Sequence, residues 1–192
     1  MVTVTLTTIP SRLCSLDDQG IKMCIESLVN QTYNDYEIHF NIPHLNKQTN
    51  EKYTIPEWLH QFDKIKIFRT DDLGPITKLL PTVKRITDQE SIIVVVDDDL
   101  VYHSEMVATQ VENQNKWKES PVGYDGLRSR DEKGNFSSFF GDSRDYYYTS
   151  HQTHSRVDIL QHYKSVSYKR RYFEDDFESF IKENYSWEDD LL

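Results

Sequence analysis

The sequence is short of positive charge. Against 32 aspartates and glutamates it sets 22 lysines and arginines, a formal net charge of −10. Nucleic-acid binding draws its affinity from clustered Lys and Arg that neutralise phosphates, so the balance argues against a nucleic-acid surface. An anionic ligand would meet an unfavourable overall field and would need a metal ion or a few focused cations. Cysteine is scarce as well. Cys14 and Cys24 are the two, and their spacing fits no metal or redox motif. They read as ordinary reduced residues in a reducing compartment, with Cys24 packed on a helix face. The opening MVTVTLTTIPSR has no basic n-region and no long apolar run, so no secretion signal is expected. No stretch approaches the ~20 apolar residues of a membrane span. The expectation is a soluble, cytoplasmic protein.

What is present is enough apolar residue for a core. At 192 residues and 37% hydrophobic content the chain fits one sizeable domain. Its 12 tyrosines suit a groove that must be both wet and sticky. VTVTLTT (2–8) is β-branched and ends before Pro10, which predicts a strand and a turn. Ile21, Cys24, Ile25, Leu28 and Val29 give helical spacing over 20–31. Strands are predicted at 36–43, 64–70 and 91–96, the last the most apolar and so the most central. Helices are predicted at 76–86, with Pro81 near a start or a break, and at 106–117. Strand and helix therefore alternate through the first half, the pattern of a mostly parallel sheet with helices on both faces. The region 121–150 is rich in Gly, Ser and aromatics with short β-like pieces, and 172–185 reads as a helix. No repeat or linker divides the chain. The expectation is one domain over 1–192, with a ligand-binding half (1–105) and an acceptor-like half (106–192). The end at SWEDDLL carries no closing signal, so the chain is expected to be the N-terminal piece of a longer protein.

The segment SIIVVVDDDLVYHSEM (91–106) poses the functional question. Asp97, Asp98 and Asp99 stand at the end of the most apolar strand, where adjacent carboxylates repel and are costly to desolvate. In α/β sheets ligands bind outside the carboxyl ends of the strands. Two more polar loops leave predicted strands at that rim: Thr8, Ile9, Pro10, Ser11 and Arg12 after the first, and Asp71, Asp72, Leu73, Gly74 and Pro75 after the third. Mg²⁺ or Mn²⁺ takes hard oxygen ligands, commonly one or two carboxylates plus substrate phosphates. By strand alternation Asp97 and Asp99 project to one side and Asp98 to the other. One of the same-side pair can hold a metal while its neighbour orients a hydroxyl or a water. A plain acidic turn capping the next helix is the alternative.

The strand ending in DDD, preceded by TTIPSR, SLVNQTYNDYEI and DDLGPITKLLP and followed by SVSYKRRYF and WEDD, resembles the nucleotide-sugar glycosyltransferases of the GT-A fold. A more particular likeness is to glycosyltransferases encoded by chlorella viruses, which build capsid glycans in the host cytoplasm. The resemblance implies a GT-A, Rossmann-like mixed sheet, Mn²⁺ or Mg²⁺ as cofactor, a UDP-sugar donor and an oligosaccharide or glycoprotein acceptor. Thr8, Ile9, Pro10 and Arg12 would wrap the nucleoside, and Asp71 or Asp72, in the loop with Gly74, would read the uracil or ribose. Lys78 would approach the diphosphate as a point charge. Asp97 would meet the ribose, Asp99 would hold the metal, and Asp98 belongs to the same donor-binding element. Asp189 or Asp190 of WEDD would be the general base of an inverting transfer. The same two residues also fit an acidic helix start capped by Ser186.

Other clusters read as structural. Glu174, Asp175, Asp176 and Glu178 are expected on a solvated helix, with Phe173, Phe177 and Phe180 as its aromatic stripe. His151 and His154, spaced i, i+3, and the run Tyr146, Tyr147, Tyr148 could serve an acceptor. Two functional alternatives stay open: a metal-dependent phosphohydrolase, and a non-catalytic nucleotide-sugar-binding module.

Overall fold

The computed structural model describes residues 1–14, 21–127 and 159–184. In chain order the elements are β1 (Val2–Leu6), α1 (Pro10–Leu13), α2 (Ile21–Val29), β2 (Tyr36–Pro43), β3 (Ile65–Thr70), α3 (Leu80–Arg85), β4 (Ile92–Val95) and α4 (Met106–Lys116). There follow β5 (Val122–Gly123), β6 (Gly126–Leu127), β7 (Ile159–Leu160), β8 (Val166–Lys169) and α5 (Phe177–Asn184). The main sheet has the order β3-β2-β1-β4-β8-β5, and β6 pairs with β7 separately. Strands β1 to β4 run parallel, β8 is antiparallel to β4, and β5 is antiparallel to β8. The mixed, mostly parallel α/β sheet expected from the alternation is the one observed.

The sheet is apolar because both faces are covered. On one face Val2, Val4 and Leu6 of β1 and Ile92, Val94 and Val96 pack with Cys24, Ile25 and Leu28 of α2 and Met106 and Val107 of α4. On the other, Ile93 and Val95 pack with Leu80 and Val83 of α3 and Ile181 of α5. The period of two along β4 thus feeds two cores. Register places Val4 beside Ile38 on one side and Val94 on the other.

The chain adds β2 and β3 to one side of β1 and then crosses to place β4 on the other. The order reverses between β1 and β4, and this switch point is where open α/β sheets form a ligand crevice at the strands' carboxyl ends.

Three elements differ from expectation. The 76–86 helix is divided into a 3₁₀ turn, Ile76–Lys78, and α3, with Pro81 in the first turn of α3, where its missing N–H is not needed. The last helix begins at Phe177, after a 3₁₀ turn at Arg170–Tyr172. Strand β8 was not anticipated. Among the described residues no helix is long and apolar enough to cross a membrane.

Candidate active site

The three carboxylates after β4 are each met by a partner. Lys78 Nζ donates to Asp97 Oδ1 at 2.7 Å. Thr8 Oγ1 donates to Asp98 Oδ2 at 2.6 Å, and Arg12 Nη1 to Asp98 Oδ1 at 2.5 Å. The second nitrogen of the same guanidinium lies 3.1 Å from Asp99 Oδ2. The loop does not continue the strand's alternation, since Asp98 and Asp99 share Arg12 while Asp97 turns to Lys78. The side chain of Asp98 is 7% exposed and that of Asp99 50%. Burial pushes the Asp98 carboxyl up, against the opposing pull of Thr8 and Arg12. Asp98 is therefore the anchor of the loop, and Asp99 is the carboxylate presented to solvent.

The two cations are held by the chain beneath them. Arg12 sits in α1, which starts at Pro10 and buries Pro10 and Leu13. Tyr53 Oη donates to the Thr8 carbonyl at 3.1 Å and fixes the entry to that turn. Ile9, between them, is exposed. The Lys78 carbonyl accepts from Thr5 Oγ1 at 2.5 Å. Thr5, Thr82 and Asn41 then form a buried polar knot: Asn41 Nδ2 donates to Thr5 Oγ1 at 3.1 Å and to Thr82 Oγ1 at 3.0 Å. Arg85 donates to Asn41 Oδ1 and stacks its guanidinium 3.8 Å from the Phe68 ring centroid. Burial lowers the Arg85 pKa to about 10. Nothing in the sequence reading singled out this knot. The signal available was Thr5 and Asn41, polar residues buried on neighbouring strands.

The loop after β3 is organised by Asp72. Its carboxylate accepts from Lys47 N at 2.9 Å and Gly74 N at 3.0 Å, and it is buried. Gly74 has φ 69°, a left-handed turn that glycine adopts without strain. Asp71 is exposed. Of the two aspartates offered for nucleoside recognition, Asp72 is engaged by the loop itself and Asp71 faces solvent.

A divalent cation was expected at Asp99 and Asp97. Among the described residues no three His, Cys, Asp or Glu side chains gather as a metal cage. Asp99 is half-exposed and Asp97 partly so, each paired with a cation, and one or two such carboxylates suffice for a Mg²⁺ or Mn²⁺ when phosphates and water supply the other ligands. The residues present fit such an ion. Asp189, Asp190, His151, His154 and Tyr146 to Tyr148 lie outside the described residues. Glu174, Asp175 and Asp176 are exposed but precede α5, in the turn that leads into it, and only Glu178, paired with Lys84 at 2.6 Å, stands on the helix. Phe173 and Phe177 pack at 4.9 Å between centroids, whereas Phe180, expected in the same stripe, is 51% exposed. Cys24 is buried and Cys14 exposed, both as free thiols.

No protein-family model and no curated protein matches the sequence. Solved structures match at low identity. A 4-diphosphocytidyl-2C-methyl-D-erythritol synthase from Anaerococcus prevotii aligns with 98% of this chain and 78% of its own, at 13% identity and TM-score 0.54. S. aureus TarS 1–349 in complex with UDP-GlcNAc aligns with 73% of this chain and 38% of its own, at 15% identity and TM-score 0.47. A mannosyltransferase from Pyrobaculum calidifontis, in complex with GDP-Man and Mn²⁺, aligns with 68% and 35%, at 16% identity and TM-score 0.41. The chain thus spans less than two fifths of the last two structures. The likeness to virus-encoded enzymes finds no support in these matches. What this chain shares with the synthase, at 13% identity, is the mixed α/β fold.

Proposed function

We propose that the protein is a metal-dependent glycosyltransferase that moves a hexose or deoxyhexose from a UDP-sugar to a glycan hydroxyl with inversion. The observation that supports this reading best is the rim at the carboxyl ends of β1 and β4, where Arg12 pairs with Asp98 and Asp99 and Lys78 pairs with Asp97 in a chain of net charge −10. Two focused cations beside the exposed Asp99 and the partly exposed Asp97 would suit a diphosphate and a divalent ion. Arg12 and the turn from Thr8 to Pro10 would border the nucleoside, with Asp71 reading its polar edge. Lys78 would carry positive charge against the diphosphate. Asp99 would hold the Mn²⁺ or Mg²⁺, and Asp97 would meet the ribose or share the ion. The metal, when bound, supplies electrostatic stabilisation to the departing nucleoside diphosphate. Asp189 or Asp190 would take the acceptor's proton on the face opposite the leaving group, which is the geometry of inversion.

A second reading is favoured by the alignment with the synthase from Anaerococcus prevotii over nearly the whole chain. It is nucleotidyl transfer from a nucleoside triphosphate at the same rim. Products separate the readings. The protein is incubated with Mn²⁺ and a panel of UDP-sugars and acceptor glycans, or with nucleoside triphosphates and sugar phosphates. Release of UDP with a glycan product supports transfer. Pyrophosphate release supports nucleotidyl transfer, inorganic phosphate supports a phosphohydrolase, and binding without turnover supports a non-catalytic module.

A further inference from the structure

The backbone N–H of Asp97 has no partner in the sheet. The ladder between β1 and β4 ends with Val96 N donating to the Thr5 carbonyl at 3.1 Å. One residue later the chain must turn, and a polar group at that turn needs a partner from elsewhere. Tyr102 supplies it. Asp97 N donates to Tyr102 Oη at 2.8 Å, and the hydroxyl hydrogen faces two carbonyls, Asp97 O at 3.1 Å and Tyr163 O at 3.1 Å. One hydrogen serves one acceptor well at a time. Tyr102 is buried, and its own N–H donates to Ser27 Oγ of α2 at 3.0 Å, so the ring is fixed at both ends.

Tyr163 belongs to the stretch between β7 and β8, and it is itself tethered. Its hydroxyl donates to Asp125 Oδ2 at 2.6 Å, and Lys164 pairs with the same carboxylate. Two residues on, Ser165 has φ 129°, held by Gln110, whose Nε2 donates to Ser165 Oγ at 2.7 Å. A single buried hydroxyl therefore touches both the first residue of the acidic loop and the segment that leads into β8.

We infer that Tyr102 is a positioning residue that sets the orientation of Asp97 in the acidic loop and ties that loop to the segment around Tyr163. The inference rests on the donor-binding reading of the site. Without the hydroxyl, the Asp97 amide is left unpaired at the strand end and the carboxylate loses its fixed starting direction. Lys78 then pairs with a wandering partner, and the diphosphate finds a less organised site.

The test is UDP affinity by calorimetry at saturating Mn²⁺ in wild type, Tyr102→Phe and Tyr36→Phe. Tyr36 is the matched control: it is equally buried, its hydroxyl donates to the Leu28 carbonyl at 2.5 Å, and it stands at the opposite end of the sheet. Both variants are expected to melt a few degrees lower, because each loses one buried hydrogen bond. Tyr102→Phe should bind UDP about tenfold more weakly, ~1.4 kcal/mol, and Tyr36→Phe should bind like wild type. Equal affinities for the two variants, whether unchanged or reduced together, overturn the positioning role. If wild type itself binds no UDP with Mn²⁺, the donor-site reading fails and takes this inference with it. Hydrogen exchange of the Asp97 amide in wild type needs no variant. Slow exchange supports the contact, and exchange at the rate of an open amide overturns it.

Discussion

Asp98 offers the sharpest test of how the acidic loop is built. Replacing it with alanine removes the acceptor of Thr8 Oγ1 and of Arg12 Nη1 at once. Thr8 is buried, and its nearest other acceptor is the Ile9 carbonyl at 3.4 Å, so its hydroxyl is left poorly satisfied, a cost of about 1–3 kcal/mol. The Arg12 side chain is 42% exposed and keeps Asp99, so water and that carboxylate take over its charge, and the pair adds about 0.5–1 kcal/mol. The sum is about 1.5–4 kcal/mol, a fall of ~3–16 °C in Tm for a chain of this size. Asp98→Asn keeps one acceptor oxygen, enough for Thr8 or Arg12 but not both, and sets its NH2 against the other donor, so it should cost about 1–2 kcal/mol. The pH dependence carries the sign. Burial raises the Asp98 pKa in the folded state. A carboxyl that holds its proton more tightly when folded contributes stability below its ordinary range, and that contribution is lost as pH rises through the raised value. Wild type should therefore lose stability relative to Asp98→Asn as pH rises above about 3.9. Urea unfolding of the three proteins at stepped pH reads this directly. Two variants within ~0.5 kcal/mol of wild type at neutral pH, or a difference from the Asn variant that runs the other way with pH, would refute the buried-anchor assignment.

Other perturbations test neighbouring parts. Asn41→Ala should destabilise by about 1–3 kcal/mol in urea unfolding, because the partly buried Arg85 loses its Asn41 acceptor and keeps only Thr82 Oγ1 at 3.1 Å, while Thr5 and Thr82 lose a donor but keep each other. Lys78→Met keeps the packed stem and removes the charge, so UDP affinity should fall about tenfold with little change in Tm. At Ser165, φ 129° is a conformation that glycine adopts freely. Ser165→Gly relieves that strain but loses the bond from Gln110, for a net change within about 0.5 kcal/mol, whereas Ser165→Ala loses the bond and keeps the strain, costing ~1 kcal/mol or more.

What was legible in the sequence follows from burial. Strands β1 to β4 and helix α2 announce themselves through β-branched runs and an apolar stripe, since both sheet faces are covered by apolar residues. Strand β8 hides because the buried face toward α4 is polar: Ser167 is buried and donates to Gln110 Oε1 at 2.9 Å, and buried Lys169 pairs with Glu90 at 2.6 Å, leaving Val166 and Tyr168 as its apolar positions. Helix α4 meets it with Gln110 and Gln114, so neither partner shows a hydrophobic period. The acidic loop was legible as three aspartates too many for a plain turn. Which carboxylate is buried depends on Arg12, 86 residues away in sequence. Asp72 and Asp71 look alike in the sequence, and only the fold of 46–48 back onto the loop separates the buried one from the exposed one.

The most direct measurement is a thermal-shift titration with UDP, with and without Mn²⁺, on wild type and Asp99→Ala. Ligand at ~100 times Kd should add about 2.7 kcal/mol, several degrees for this chain. Stabilisation by UDP that requires Mn²⁺ in wild type and vanishes in Asp99→Ala is the expected result. No shift under any metal, or an equal shift in Asp99→Ala, would contradict a metal–diphosphate site at the carboxyl ends of β1 and β4.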